Sequence, residues 1–128
     1  DLPTRRRPTT ALAFSADGKQ LAAGFNGAVQ LWDVANRKLA RTLEGFERTV
    51  TRLAFSPKGD LIAAGTGDGQ VWVWSVETGR RTHIFDTGPR GVRSLNFDAT
   101  GKLLVVATNR AGVTVWDVNP LAAPEPDA

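Results

Sequence analysis

The sequence lacks many of the residues on which catalysis, metal binding and membrane insertion depend. It contains no cysteine, which excludes disulfide bonds, thiolate metal sites and cysteine nucleophiles. Its one histidine, His83, has no second histidine to share a metal, and no Gly-x-Ser-x-Gly elbow is present. There is no apolar run of about 18 residues that could span a membrane, and no apolar segment follows the basic N-terminus. These absences predict a chain without enzyme activity, metal or cofactor, located away from membranes and in the cytoplasm.

The residues that are present are typical of one globular domain. Of 128 residues, 41% are hydrophobic and 23% are charged, which is ordinary for a folded protein. Sixteen basic residues stand against 13 acidic ones, for a net charge of +3, and 12 of the basic residues are arginines. Because the first residue is Asp1 and not methionine, we expect a processed product or part of a longer polypeptide.

One unit occurs three times along the chain. The segments that mark its start are Leu12-Ala13-Phe14, Leu53-Ala54-Phe55 and Leu95-Asn96-Phe97. The tryptophans that mark its later part are Trp32, Trp74 and Trp116. The phenylalanines are 41 and 42 positions apart, and both tryptophan steps are 42. A constant period of this length is the signature of a repeat architecture.

Each unit is predicted to consist of short strands. Apolar residues alternate with others over 10–14, 50–55 and 92–97, which is the period of a strand, and glycine-containing turns follow. The later strands are predicted at 20–24, 61–65 and 102–107, at 28–34, 70–76 and 112–118, and at 38–43 and 81–85. Helical periodicity is not convincing anywhere. The chain is therefore predicted to be all-β.

The repeat resembles that of the WD40 β-propeller family. The resemblance covers residues 1 to about 119 and rests on the spacing, the turn glycines and the tryptophan in all three copies. It implies four-stranded antiparallel blades around a central channel, in rings of about four to eight blades. The implied repeats span about 1–43, 44–86 and 87–119, and a Pro/Ala-rich tail or linker follows at 120–128.

The polar residues depart from the family pattern. WD40 blades often carry Gly-His before the first strand, and none of these repeats has that pair. Only Asp68 matches the turn aspartate of the family, with Asn26 and Arg110 at the equivalent places. We therefore expect an incomplete polar network, apolar packing between blades, and Trp72 in the core although it stands outside the repeat. The resemblance implies structural roles for Trp32, Asp68, Trp74 and Trp116.

Three blades cannot close a ring. On their own they would expose two apolar end faces to water, and this exposure would cost much of the about 5–15 kcal/mol that stabilises a protein. The third blade also lacks its own outer strand, since Pro124 and Pro126 occupy the expected place. Leu2 takes the position of an outer-strand end at the start of the chain. We expect other chains or a missing part to complete the ring. A homodimer with six blades is favoured; the alternatives are a homotrimer with nine, a hetero-assembly with seven, or the complement of a longer propeller.

The resemblance implies a partner-binding face, formed by the loops before strand one and the turns between strands two and three. Arginine side chains in these loops favour carboxylates, which predicts a protein or peptide partner with acidic residues. Nucleic acid is not favoured, because few aromatic side chains accompany the arginines. The predicted partner-binding residues are Arg5, Arg6, Arg7, Thr10, Phe25, Arg48, Thr49, Thr51, Arg90, Arg93, Asn109 and Arg110.

The sequence is thus predicted to form a non-enzymatic scaffold for protein–protein interaction, assembled into a closed propeller by oligomerisation. This step rests on the family resemblance and not on the chemistry of a site. One alternative is a sensor or regulatory part of a larger signalling protein, such as a kinase or an ATPase. Another is a polyanion-binding module on the arginine-rich loops, whose affinity would fall steeply with salt.

Overall fold

Eleven β-strands in three antiparallel sheets make up the fold. The computed structural model describes residues 8–46, 48–88, 91–108 and 112–118, and these contain no helix. The first sheet consists of β1 (Ala11–Phe14), β2 (Gln20–Phe25), β3 (Ala28–Asp33) and β4 (Lys38–Leu43). The second consists of β5 (Val50–Phe55), β6 (Leu61–Thr66), β7 (Gln70–Ser75) and β8 (Arg81–Asp86). The third consists of β9 (Val92–Phe97), β10 (Leu103–Thr108) and β11 (Gly112–Asp117).

The strands predicted from the repeat are confirmed to within one residue at either end. The strand order follows the chain in every sheet, so each sheet is a meander. The third sheet has three strands among the described residues, as predicted. Both segments discussed for a further strand, near Leu2 and at 123–127, lie outside the described residues.

Each sheet presents two faces, because side chains alternate along a strand. The register pairs Phe14 with Leu21, Leu21 with Trp32 and Trp32 with Leu39, which places these four side chains on one face of the first sheet. The same rows recur one repeat later in the second and third sheets. The same two kinds of face therefore recur in every sheet.

The core lies between the sheets. The first junction buries Leu31 and Leu43 of the first sheet against Ile62, Trp72 and Trp74 of the second. The second junction buries apolar residues of the second and third sheets in the same way; its members are Leu61, Ala63, Val71, Val73, Val92, Leu95, Leu104, Val106 and Val118. As expected, apolar packing between sheets holds the array together.

Two glycines let neighbouring sheets approach closely. A Cβ atom added to Gly24 would lie 2.9 Å from the Cβ of Val50, and one added to Gly65 would lie 2.7 Å from the Cβ of Val92. Both distances are shorter than real Cβ contacts. The pairs are one repeat apart, so each junction depends on the same missing side chain.

The turns between the first two strands of each sheet are held by short polar side chains. The Ser15 hydroxyl donates to Asp17 Oδ1 (2.6 Å), which also accepts from the Lys19 backbone N–H (2.9 Å). In the third sheet the Thr100 hydroxyl donates to Asp98 Oδ2 (2.7 Å). Chiefly these hydroxyl donors, then backbone N–H groups, lower the pKa of Asp17 and of Asp98 below 3.8.

These turns should make the fold less stable in acid. Because the folded-state pKa of Asp17 and Asp98 is lowered, their contribution is present above 3.8 and is lost as pH falls through the folded pKa. We expect the melting temperature to drop between pH 7 and about pH 2.5. The drop should be smaller in the double variant Asp17→Asn/Asp98→Asn, measured by circular dichroism. An equal drop in both proteins would contradict the assignment.

Candidate binding face

One end of the array gathers the segments that lead into the first strands and the turns that follow the second strands. We call this end the loop face; among the described residues it comprises 8–10, 25–28, 48–52, 66–70 and 91–93. The segments meet there because each first strand is antiparallel to the second strand of its own sheet. β1 contacts β5 and β5 contacts β9, so the first strands of successive sheets lie side by side.

Backbone hydrogen bonds join the loops of the first two sheets. The Gly27 N–H donates to the Arg48 carbonyl (3.0 Å), and Asn26 forms an isolated antiparallel bridge with Thr49. The Thr49 carbonyl in turn accepts from the Gly67 N–H (3.1 Å). The lead-in segment at 48–49 is therefore bonded to a turn on either side, which fixes its position on the loop face.

Asp68 holds the tight turn at 66–70. Its carboxylate accepts a short hydrogen bond from the Thr66 hydroxyl, and its Oδ2 lies 3.3 Å from Arg48 Nε. The Arg48 side chain is 68% exposed, so this ion pair is worth at most about 1 kcal/mol. The turn at 66–70 is therefore a closed loop that connects β6 directly to β7, and no helix follows it.

Arginine and threonine side chains tie the second sheet to the third at the loop face. Arg52 Nε donates to the Arg93 carbonyl (2.6 Å), and its Nη1 donates to the Thr51 carbonyl (2.7 Å). The Thr51 hydroxyl contacts the carbonyls of Gly65 (3.2 Å) and Val92 (3.0 Å). The Arg93 side chain is exposed beside this bridge.

Charge on the loop face changes with distance from the first strands. Arg52 and Arg93 lie on first strands, whereas Glu44 and Asp86 follow or end the outer strands β4 and β8. An acidic group would therefore meet arginines near the first strands and carboxylates farther out. Most of the arginines predicted for this face lie outside the described residues.

The structure places half of the predicted partner-binding residues. Thr10, Arg48 and Arg93 are exposed, and Thr49 and Thr51 are half-buried. Phe25 is 2% exposed and packs with Ala23 and Ala28, so its ring lies beneath the loop face. The others lie outside the described residues: Arg5, Arg6, Arg7, Arg90, Asn109 and Arg110.

Trp72, Trp74 and Trp116 lie in the junctions between sheets, whereas Trp32 is buried on the other face of the first sheet. Trp32 and Trp74 are 3% and 2% exposed, and Trp116 is half-buried against Phe85, with ring centroids 4.5 Å apart. Trp72 is buried in the first junction, as predicted for it, with its centroid 6.0 Å from that of Trp74. These positions fit the structural roles that the repeat implies for the recurring tryptophans.

The polar network around the tryptophans differs from repeat to repeat. Trp116 Nε1 donates to the Thr114 hydroxyl (2.9 Å), and Trp72 Nε1 donates to Gln70 Oε1 (3.1 Å). Trp32 Nε1 and Gln30 Oε1 are both buried and have no partner among the described residues. The network is incomplete in the first sheet, as the sequence predicts.

The one histidine of the chain lies away from the loop face. His83 lies on the outer strand β8, where its ring stacks on Phe85 with centroids 5.4 Å apart. The described part of the chain holds no group of three or more histidine, aspartate or glutamate residues that could bind a metal ion. Within the same residues no helix is long and apolar enough to cross a membrane.

Two contacts between neighbouring sheets could not be predicted from the sequence. Arg52 is one, and Arg41 is the other, because its guanidinium donates to the Glu77 carbonyl (2.8 Å) and the Thr78 carbonyl (3.1 Å) of the next sheet. Neither arginine recurs at the equivalent position of the other units. A repeat signal could not have found them.

Comparison with known proteins gives the same fold. Residues 6–33 and 37–75, more than half of the chain, match the family model described as WD domain, G-beta repeat. Protein ROOT INITIATION DEFECTIVE 3 from Arabidopsis thaliana is 40% identical over 65 residues, which are 50% of this chain and 15% of that protein.

Solved structures are similar over nearly the whole chain. The structure of the RRP9 WD40 repeats has 18% sequence identity and a TM-score of 0.83 over 91% of this chain and 37% of its own. A chain of the Mitotic Checkpoint Complex has 22% identity and a TM-score of 0.82 over 96% and 37%. At these identities the likeness shows the fold, and this chain spans well under half of each neighbour.

Proposed function

Because the chain belongs to the WD40 family of β-propeller repeats, we propose that it is a non-enzymatic scaffold that presents its loop face to a protein partner. Proteins of this fold generally act as interaction scaffolds. One structural neighbour is part of a multi-protein assembly, the Mitotic Checkpoint Complex. The observation that carries the proposal is the fixed loop face itself, with its segments bonded to one another from sheet to sheet.

The rigidity of this face favours binding. Loops that are already ordered lose little conformational entropy when a partner docks, so more of the contact energy appears as affinity. The bonds from Arg48, Thr49 and Arg52 to neighbouring segments supply that order. A short segment of a partner would lie across the first strands, where the exposed backbone and side chains of three sheets meet.

We propose that the partner segment is acidic. Arg52 is held by two backbone carbonyls, and Arg93 extends into solvent beside it. Guanidinium groups bind carboxylates through paired, charge-assisted hydrogen bonds. A carboxylate at this point would meet Arg93 without first having to break an ion pair of the kind that occupies Arg48.

Arg93→Ala should weaken the binding of an acidic peptide about tenfold, because one charge-assisted contact of about 1.5 kcal/mol is lost. The measurement is fluorescence anisotropy of labelled hexaglutamate, with hexalysine as the negative probe. Arg93→Lys should retain only part of the affinity, since an ammonium cannot form the paired contact.

The matched control is Arg80→Ala, which removes the same charge from the turn between β7 and β8, away from the loop face. Its affinity for hexaglutamate should equal that of the unchanged protein. Equal losses in the two variants would instead indicate attraction by net charge, which is the polyanion-binding alternative and predicts a steep dependence on salt.

The ring is proposed to be completed by self-association, with six blades from two copies as the favoured assembly. Support comes from the apolar side chains that remain exposed on the first and third sheets, since exposed apolar patches mark interaction sites. The alternative is that the chain serves as a sensor or regulatory part of a larger signalling protein. The chain covers 15% of the length of the matched relative, which is consistent with this alternative.

A further inference from the structure

Two carboxylates mark the outer border of the loop face, at equivalent positions of the first two units. Glu44 directly follows β4, and Asp86, 42 residues later, ends β8. Both residues are exposed. Within the described part of the chain neither carboxylate belongs to an ion pair, since the pair found there joins Arg48 and Asp68. The negative charge of both residues is therefore available to a cationic group of a partner.

Hydrogen bonds fix Asp86 beside the turn at 66–70. Its Oδ1 accepts from the Gly88 N–H (3.0 Å). The residue between them, Thr87, donates from its backbone N–H (2.8 Å) and from its hydroxyl (2.6 Å) to the Gly69 carbonyl. Because Gly69 belongs to the loop face, the carboxylate of Asp86 has a defined place at the border of that face.

The register of the second sheet gives the distance between its inner arginine and this carboxylate. The pairing leads from Arg52 on β5, across β6 and β7, to Phe85 on β8. Asp86 is the next residue along β8. The row crosses three gaps between strands, and adjacent strands lie about 4.7–4.9 Å apart. Arg52 and Asp86 are therefore separated by about 14 Å across the sheet.

The surface between these two charges is formed by the turn at 66–70. Gly67 is exposed on this turn and has no side chain, so a partner chain can lie directly on the backbone there. Asp68 accepts from the Thr66 hydroxyl and pairs with Arg48, so its carboxylate already has partners. A segment that crosses the second sheet would therefore meet positive charge at its inner end and negative charge at its outer end.

The first sheet has the outer charge without the inner ones. Ala11 stands there at the position that Arg52 has in the second sheet. Thr10 stands at the position that Arg93 has in the third sheet. Among the described residues, a segment that crossed the first sheet would thus meet Glu44 and no arginine on the first strand. The opposed charges belong to the second sheet, where Arg52 contacts the backbone of Arg93.

We propose that the partner segment carries charges of both signs, with an acidic residue that binds Arg93 and, about four positions away, a basic residue that binds Asp86. This inference rests on the proposed function and adds a second charge to the acidic segment proposed there. An extended chain advances about 3.4 Å per residue, so four positions span about 14 Å. Asp86 then selects among acidic segments by the spacing of their charges, because complementary charges determine which partner binds and in which register.

Two peptides of identical composition test the spacing. In the spaced peptide, Glu-Glu-Gly-Ser-Gly-Lys-Lys, every glutamate is at least four positions from a lysine. In the compact peptide, Gly-Glu-Glu-Lys-Lys-Ser-Gly, every glutamate is at most three positions from a lysine. Both peptides are blocked at their ends and have no net charge, so the net charge of the protein favours neither. In fluorescence anisotropy at low salt, the spaced peptide should bind about threefold more tightly, which is the effect of one exposed ion pair.

Variants at the two equivalent carboxylates assign this preference. Asp86→Asn removes the charge and keeps an oxygen that can accept from the Gly88 N–H. The spaced and the compact peptide should bind this variant equally. The matched control is Glu44→Gln, which removes the same charge at the equivalent position of the first sheet and should keep the threefold preference. Thermal unfolding followed by circular dichroism verifies that both variants are folded.

The outcomes separate this inference from the proposed function. Equal binding of the two peptides to the unchanged protein would overturn the inference, and the proposed function would stand if hexaglutamate still bound through Arg93. If hexaglutamate and both peptides failed to bind, the two would fail together. Loss of the preference in Glu44→Gln as well as in Asp86→Asn would also overturn the inference, because the preference would then follow total charge and not Asp86.

Discussion

Replacing Trp74 with alanine should lower the free energy of unfolding by about 3–5 kcal/mol, the usual cost of deleting a large buried aromatic side chain. Trp74 is 2% exposed, and its ring centroid lies 6.0 Å from that of Trp72 and 5.8 Å from that of Phe46. Phe46 follows the first sheet and both tryptophans belong to the second. The cavity would therefore open at the junction itself.

The measurement is urea unfolding followed by circular dichroism, because tryptophan fluorescence changes with the substitution. A loss of this size is a large part of the about 5–15 kcal/mol that stabilises a protein. Trp74→Phe should lose less, since a ring remains beside Trp72 and Phe46. An unchanged unfolding curve for Trp74→Ala would refute the placement of this side chain in the junction.

Gly65→Ala should destabilise the fold by about 1–3 kcal/mol, although the substitution adds only one methyl group. That group would lie 2.6 and 2.7 Å from the Cγ1 and Cβ atoms of Val92 in the next sheet. These atoms belong to a short branched side chain and to the strand behind it, so they cannot swing aside. The two sheets must separate, which weakens every contact of the second junction.

The neighbouring glycine provides a control with the opposite sign. A Cβ atom at Gly67 would have Thr51 Cγ2 as its nearest neighbour, at 3.9 Å, which is ordinary contact. Gly67→Ala should therefore be neutral or stabilise by up to about 1 kcal/mol through the unfolded state. The exchanged pair Gly65→Ala/Val92→Gly should cost less than the two single changes together. Strictly additive losses would mean that the clash does not occur.

The strands could be predicted from the sequence because each repeat reports the same pattern three times. Alternation along a strand, turn glycines and the tryptophan agree in all three copies, so the pattern does not rest on a coincidence in one segment. The sheets and their order follow from short turns between successive strands. The two faces of each sheet follow from the register, and only the structure shows which face meets the next sheet.

The loop face was less predictable, because its contacts come from residues that do not repeat. Arg52 bridges two sheets, and Ala11 and Ser94 at the equivalent positions cannot reach so far. Phe25 was predicted at the partner surface, yet it ends β2 on the same side as Ala23 and is covered there. The sequence pattern gives a side chain its place in the repeat, whereas burial depends on the neighbours that it meets.

Contacts between sheets run from each sheet to the next, through β1 with β5 and β5 with β9. The stability of such an array is approximately a sum of one contribution per unit and one per junction. Among the described residues the second sheet takes part in two junctions, and the first and third sheets take part in one each. A destabilising change in one unit therefore weakens that unit and its junctions with the neighbouring units, and has little effect on more distant ones. Individual repeats can for this reason diverge in sequence while the fold is kept.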